Sequence, residues 1–392
     1  MTQKKPPINW PTALWLVLSL AAAVVAAPAY VHFYGFSLFE FLVFFVMAYA
    51  TGLSITIGYH RLFAHRSFDA ISPVAVITGL LGAATFQNSV LDWASEHRYH
   101  HKYVDRDGFP YDPYNINRGF FYAHMGWLFR NREPKLPRDN VADLEQSRFL
   151  VWQDRWILPL MIGMCFGFPV LLALGWGLLV GVEPTRAALA GLVFGGIVRV
   201  VAVQHATFFI NSLCHYIGRR PYNGLCTARD SGLVAFFTFG EGYHNFHHTF
   251  QADYRNGIRA WHFDPGKWVI WLLARLGLAW NLRRVAEETI RMARLREKRR
   301  DLERSLSVRL DEIRHKAVEL MTGLEESLDE MHHRSRVLWS EYRRVQQQRG
   351  AERRRRLREI RRELRSLRRE FRRQFRAWEA AWHAARAQLA AA

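Results

Sequence analysis

Cysteine is scarce in this 392-residue chain: Cys165, Cys214 and Cys226 are the only three, and no two of them form a CxxC pair. That excludes a disulfide scaffold and a thiolate-rich metal site, and Cys165 reads as ordinary filling of an apolar helix. A His-Pro-Gly-Gly heme motif is also absent, so the sequence shows neither a heme nor an iron-sulfur signature for carrying electrons. Charge is unevenly spread. The first 286 residues hold less than half of the formal net charge of +19, because the basic excess is concentrated beyond them. What is abundant is apolar sequence, half of the chain, in long blocks.

Lys4 and Lys5 precede an apolar run from about Thr12 to Val31, which is too long for a signal-peptide core and merges into another. The second run, Leu38 to Gly58, is enough to cross the ~30 Å hydrocarbon layer and follows a tight Tyr34-Gly35-Phe36 turn. A third and a fourth, about 156–180 and 187–210, are joined by the short link Gly181 to Arg186. These runs predict an all-α integral membrane fold with four transmembrane helices in two hairpins (about 12–31, 38–58, 156–180 and 187–210). The two links hold Arg186 as their only Lys/Arg, whereas Tyr59 to Arg155 holds a dozen. The positive-inside rule then puts both termini and a helical cap (59–155 and 211–286) in the cytoplasm. Val74 to Phe86 and Leu233 to Phe239 are too short to span. Arg199 lies inside the fourth run, where a charge costs at least ~2.5 kcal/mol and faces the protein interior, so a buried partner is expected.

Histidine is where the chemistry gathers. His97, His100 and His101 stand at i, i+3 and i+4, one face of a helix. His244, His247 and His248 repeat the pattern, and His60 and His65 form a looser pair upstream. The topology brings all three boxes to the same side of the bilayer. Neutral imidazole is the commonest protein metal ligand and a lone structural zinc takes four ligands, so eight clustered histidines imply two ions. His215, one turn after Asn211, is the candidate ninth ligand. No carboxylate stands at box spacing, unlike the Glu and Glu-x-x-His sites of soluble di-iron bundles. Imidazole suits zinc, copper, nickel and iron alike. The set still implies oxygen chemistry, and splitting an unactivated C–H bond requires a metal that changes valence. His32, His124, His205 and His262 read as structural or supporting residues, and His315, His332, His333 and His383 as solvated ones.

The motifs His60-Arg-Leu-Phe-Ala-His65, Phe86-Gln87-Asn88 with Trp93 and His97-Arg-Tyr-His-His101, Asn211-Ser-Leu-Cys-His215, and Gly240-Glu-Gly-Tyr-His-Asn-Phe-His-His248 resemble the membrane fatty-acyl desaturases of the stearoyl-CoA (Δ9) type, in a bacterial-like form. The resemblance covers about residues 35–285. It implies that His60, His65, His97, His100, His101, His215, His244, His247 and His248 bind two irons (Fe2+/Fe3+), with Asn211 contacting one through water. It implies further that Gln87, Trp93 and Thr207 line a bent tunnel, that Asn88 contacts the thioester headgroup, and that no catalytic residue is needed beyond the ligands. The expected reaction inserts a cis double bond between carbons 9 and 10 of a saturated acyl chain. The substrate is expected to be an acyl-CoA, with acyl carrier protein or phospholipid as other carriers. O2 is the oxidant, and a separate donor such as ferredoxin or cytochrome b5 docks to supply electrons. The expected location is a bacterial inner membrane. Three departures stand out. Ser95 and Glu96 occupy the stretch where the family often has a basic residue, Phe208 replaces a tunnel tryptophan, and the segment Asp105 to Arg118, with Gly108-Phe109-Pro110-Tyr111-Asp112-Pro113, is longer than usual. A fatty-acid or alkyl hydroxylase with the same histidine chemistry is the alternative. A metal transporter is disfavoured because the boxes lie beyond the helix ends, and a heme protein would show a Soret band.

Residues 287–392 form a separate, basic tail. Leu357, Ile360, Leu364, Leu367, Phe371, Phe375, Trp378 and Trp382 make a heptad-like stripe, as do Leu302, Leu306, Leu310, Ile313, Leu320, Leu324 and Leu328, with Gly323 and Gly350 as the expected breaks between two or three long helices. The arginines from Arg353 onward suit anionic membrane lipid. Nucleic acid is disfavoured by the interleaved acids, and an oligomerisation arm needs only the heptads.

Overall fold

The computed structural model describes residues 6–106, 112–131, 136–305, 311–347 and 351–391. Gly108 to Tyr111 of the long loop, Leu306 and Leu310 of the earlier stripe, and Gly350 lie outside the described residues, as do the side chains of Leu302, Ile313, His315 and Leu320. The chain forms two compact units, residues 1–220 with 225–284, and residues 221–224 with 285–392.

In the first unit the helices are α1 (Trp10–Tyr34), α2 (Leu38–Ala64), α3 (Ser72–Ala83), α4 (Val90–Tyr103), α5 (Ile157–Val180), α6 (Pro184–Tyr216), α7 (His244–Thr249) and α8 (Pro265–Arg275), with shorter helical turns between them. α1, α2, α5 and α6 are long and apolar enough to cross a membrane. Each of the four runs read from sequence lies on one of them. The described residues add one small departure from an all-helical unit, a two-residue antiparallel ribbon pairing Asp69–Ala70 with Ala279–Trp280.

Local chemistry sets the helix ends. Asn9 caps α1 by accepting from the Thr12 N–H at 3.3 Å, and the helix stops at Gly35, whose φ of 74° suits glycine. Ser37 and Glu40 form a reciprocal capping box at the start of α2. Glu40 is fully buried and also accepts from the Tyr30 hydroxyl (2.8 Å) and Arg186 Nε (2.9 Å). The lone arginine of the two links is therefore bound to a carboxylate that holds α1, α2 and the start of α6 together. Replacing Glu40 by alanine strips the Tyr30 hydroxyl, Arg186 Nε and the N–H and hydroxyl of Ser37 of their acceptor. We expect a loss of ~1–3 kcal/mol, read as a thermal midpoint lower by about 2–10 °C in detergent.

Between spans, glycine allows close approach. A Cβ on Gly191 of α6 would stand 2.6 Å from the Pro169 carbonyl, and one on Gly195 would stand 2.8 Å from the Pro169 ring. Arg199 is fully buried, as its position predicts, but its partners are carbonyls: Gly195 (2.8 Å), Ala84 (2.7 Å) and Cys165 (3.1 Å). Cys165 is thus part of that cage rather than filler alone. At the far end of α2, Tyr59, Phe63, Val90, Leu91, Ala94, Val141, Leu144 and Leu150 form a core that fixes α4 against α2.

The second unit contains α9 (Glu287–Ser305), α10 (Asp311–Gln346) and α11 (Ala351–Ala391). The later stripe closes inside the unit: Ile360, Leu364, Leu367, Phe371, Phe375 and Trp378 are buried against Met292, Leu295, Met321, Leu328, Met331, Leu338 and Val345. Two expectations are corrected. Gly323 does not break the chain but sits inside the 36-residue α10. The ~1 kcal/mol that glycine costs a helix is offset by burial of Met321 and Leu328 beside it. His332 is not solvated: it is half-buried, and its Nε2 lies 2.7 Å from the Thr289 hydroxyl. His333 and His383 are exposed, as expected.

Candidate metal centre

Each histidine box owes its placement to a local device. The last ten residues of α2, Ile55–Ala64, are π-helical, and the His65 N–H bonds the His60 carbonyl five residues back at 3.0 Å. On an α-helix, residues five apart point roughly 140° apart. Widening the turn to i→i+5 returns the fifth residue to the same face, and the two rings come within 4.8 Å. The i, i+3, i+4 pattern on α4, started by its Ser89 cap, does the same for His97, His100 and His101 without distortion. α7 repeats it for His244, His247 and His248, and His215 arrives from the end of α6.

The nine imidazoles collect into two groups. His60, His65, His97, His101 and His247 form one and His100, His215, His244 and His248 the other, with each group's potential ligand atoms within 4.8 Å of one another. Nε2 faces Nε2 at 2.9 Å between His60 and His247, 2.8 Å between His65 and His97, 3.0 Å between His101 and His247, and 3.2 Å between His100 and His248. Burial first, and the crowd of neighbouring rings second, hold His65, His97, His101, His244, His247 and His248 well below the ordinary histidine range, so these rings are neutral. Neutral lone pairs packed this closely repel unless a cation lies between them. Separations near 3 Å match the edge between two nitrogens ~2.1 Å from a common ion. His215 Nε2, buried with no hydrogen-bond partner, is a vacant ligand atom of the same kind. The residues therefore fit a pair of metal ions.

Outside the rings, oxygen atoms occupy the Nδ1 side. His100 Nδ1 lies 2.9 Å from Asp112 Oδ1 and His60 Nδ1 3.2 Å from Glu241 Oε2. His215 Nδ1 lies 2.7 Å from the Thr227 hydroxyl, which donates to Asp105 at 2.6 Å. At His100 and His215 these hydrogen-bond partners fix the tautomer with the proton on Nδ1 and free Nε2 for a metal. Burial opposes ionisation of Glu241, but the neighbouring His60 and Arg61 outweigh it and hold the carboxyl at about 2. Burial likewise opposes Asp112, and His100 brings it below its usual value.

A cavity of about 1310 Å³ opens onto both groups, touching His60, His97, His100 and His244. Gln87, Asn88, Trp93, Thr207 and Asn211 all lie on its wall, as does Phe208. Three of them form a bonded chain: Trp93 Nε1 donates to Gln87 Oε1 (3.2 Å), and Gln87 Nε2 donates to the Thr207 hydroxyl (3.0 Å). The turn that presents Gln87 has two non-glycine residues in the left-handed region, Phe86 (φ 56°) and Asn88 (φ 73°). Phe86 stacks on Trp15 at 3.9 Å, and the Trp93 indole stacks on His97 at 4.7 Å.

The fatty acid desaturase family model matches residues 40–271. The chain belongs to that family. It is similar to a probable acyl-CoA desaturase of Schizosaccharomyces pombe, 40% identical over 266 residues, covering 67% of this chain and 53% of the relative. It is 38% identical over 263 residues to acyl-CoA desaturase 1 of Saccharomyces cerevisiae (67% and 49% covered). Against a Delta(9)-fatty-acid desaturase of Caenorhabditis elegans it is 33% identical over 283 residues (71% and 80%). The chain spans about half the length of the two yeast relatives it matches.

Sequence reasoning about this chain missed the carboxylates. Glu241 and Asp112 stand at no box spacing, and Asp105 and Thr227 are 122 residues apart. Their signal was present only as acids adjoining the motifs, Glu241 three residues before His244. Also missed was Arg61, buried between Glu241 Oε1 (3.3 Å) and Asp264 Oδ1 (2.9 Å). Thr227 offers a test of these supports. The isosteric Thr227→Val removes the bridge from His215 to Asp105 and should weaken metal binding in the four-histidine group by roughly 10–100-fold in a titration of metal-free protein, with Thr227→Ser restoring it.

Proposed function

We propose that this protein is an O2-dependent fatty-acyl desaturase that places a cis double bond, at Δ9, in a saturated acyl chain carried as the CoA thioester. The observation that carries the reading is the meeting of one partly apolar cavity with two groups of close-packed imidazoles, on a chain whose relatives are named acyl-CoA desaturases. In this reading the nine histidines hold two irons, five on one and four on the other, and Asn211 reaches one of them through water. Bound iron would supply the valence change that lets O2, two external electrons and two protons remove two hydrogens from an unactivated CH2–CH2 unit, both oxygen atoms leaving as water. The remaining work is the chain's own. Asp112 and Thr227 fix the imidazole tautomers of His100 and His215, and Glu241 sets a carboxylate 3.2 Å from His60 Nδ1. The Trp93–Gln87–Thr207 chain stiffens the wall where an acyl chain must bend, since bonded polar groups make a firmer surface than loose aliphatic ones. Asn88 stands on the same wall and meets the thioester end.

The four spans are read as two hairpins in a bacterial inner membrane, with the histidine-bearing cap and both termini in the cytoplasm. Residues 1–286 would be the desaturase proper and 287–392 an appended helical region. A separate ferredoxin-like or cytochrome donor supplies electrons. Expression in a host lacking monounsaturated fatty acids tests the reaction: cis-9 monoenes are expected in its lipids, and hydroxy acids without alkenes would overturn the reading in favour of a hydroxylase. Offering the purified enzyme defined acyl-CoA, acyl carrier protein and phospholipid substrates then identifies the carrier.

A further inference from the structure

We propose that α11 carries an arginine stripe that lays the tail flat on anionic phospholipid headgroups of the membrane in which the chain is embedded. The buried residues of α11 from Ile360 to Trp378 are spent on the core of their own unit. The exposed side is a regular series: Arg355, Arg358, Arg362, Arg365, Arg369, Arg372 and Arg376, at alternating steps of three and four with no acid among them. That spacing keeps all seven on one face over 21 residues, a length of roughly 32 Å. Two of the seven are engaged in ion pairs among the described residues, Arg355 with Glu359 at 3.3 Å and, loosely, Arg372 with Glu287 at 3.9 Å. Arg358, Arg362, Arg369 and Arg376 are exposed and make no ion pair among the described residues. The exposed positions of α10, by contrast, mix signs: Glu319, Glu326 and Glu330 with Arg334, Arg336, Arg343 and Arg344.

Three features select a lipid surface. The basic positions of α11 are all arginine with no lysine, and the planar guanidinium pairs bidentately with phosphate. The exposed glutamates Glu363 and Glu370 flank the stripe, so a planar anionic sheet can meet the arginines while a polyanion curving around the helix would run into the acids. Finally, the tail continues directly from a unit with four membrane-length helices, which keeps the stripe near a bilayer without any binding of its own.

The test uses the full chain in lipid nanodiscs. Ser366 is exposed beside the stripe, and the three native cysteines are buried, so Ser366→Cys places one fluorescent donor on α11. Energy transfer to an acceptor on the lipid headgroups should rise about twofold or more when roughly a third of a phosphatidylcholine disc is replaced by phosphatidylglycerol, and should fall back at about 1 M salt. The R358Q/R362Q/R365Q/R369Q variant should lose the rise, and the same four positions changed to lysine should keep most of it. Helix content by circular dichroism and acyl-chain turnover should match the parent in both variants. Equal transfer in neutral and anionic discs would overturn the proposal. So would displacement of the tail from anionic discs by a stoichiometric short RNA duplex or acidic protein, which would assign the stripe to that partner instead.

Discussion

His247→Ala is expected to abolish desaturation, with turnover falling by at least ~100-fold, and to leave the purified protein with about one metal ion per chain where the parent holds two. The reason is its position. Its Nε2 lies 2.9 Å from that of His60 and 3.0 Å from that of His101, so it closes the five-imidazole group from α7 onto α2 and α4. Elemental analysis and product analysis on one preparation check both halves. His383→Ala, at an exposed tail position, controls for losses during purification. Full metal content with ordinary turnover in His247→Ala would remove the two-ion account.

Arg61→Leu should produce the largest loss of stability. The guanidinium is 1% exposed and is shared by Glu241, Asp264 and the Tyr254 carbonyl. Removing it leaves two buried carboxylates facing one another, a defect of ~3–5 kcal/mol, which lowers the thermal midpoint by roughly 6–20 °C for a unit of this size. Glu241→Gln separates stability from metal binding. Arg61 then keeps Asp264, so the midpoint should fall less, while His60 loses its carboxylate and metal affinity should drop roughly 10–100-fold. Thermal scans with and without added metal distinguish the two. Equal midpoints for Arg61→Leu and Glu241→Gln would show that the arginine does not neutralise the pair.

Much of this was legible along the chain because membrane and helix physics write themselves in short periods. A bilayer demands some twenty apolar residues in succession, and α1, α2, α5 and α6 lie where those runs lie. Two of the three boxes have true α-helical spacing and were readable as faces. The first box was not, because an i, i+5 pair points apart on an α-helix and only the π-helical end of α2 reunites it. Nor does any period predict that His100 and His101, adjacent in sequence, belong to different groups. The supporting carboxylates depend on contacts such as Glu241 to His60, 181 positions apart, which no local pattern encodes. In the tail the stripe was clear, but the partner that buries it was not. Gly323 looked like punctuation because intrinsic propensity was weighed without the packing that overrides it.

The cage around Arg199 has an evolutionary implication. All of its acceptors within 3.1 Å are main-chain oxygens, from α6 itself, from α5, and from the residue just past α3. Every amino acid carries such an oxygen, so Ala84 and Cys165 can change identity without removing the acceptor, provided that the helices keep their paths, whereas Gly195 is fixed for a different reason, the Pro169 ring 2.8 Å from where its Cβ would stand. The arginine has no such freedom. A lock with a unique key and a mostly generic keyhole concentrates much of the mutational liability of two membrane-length helices and the end of α3 in one codon.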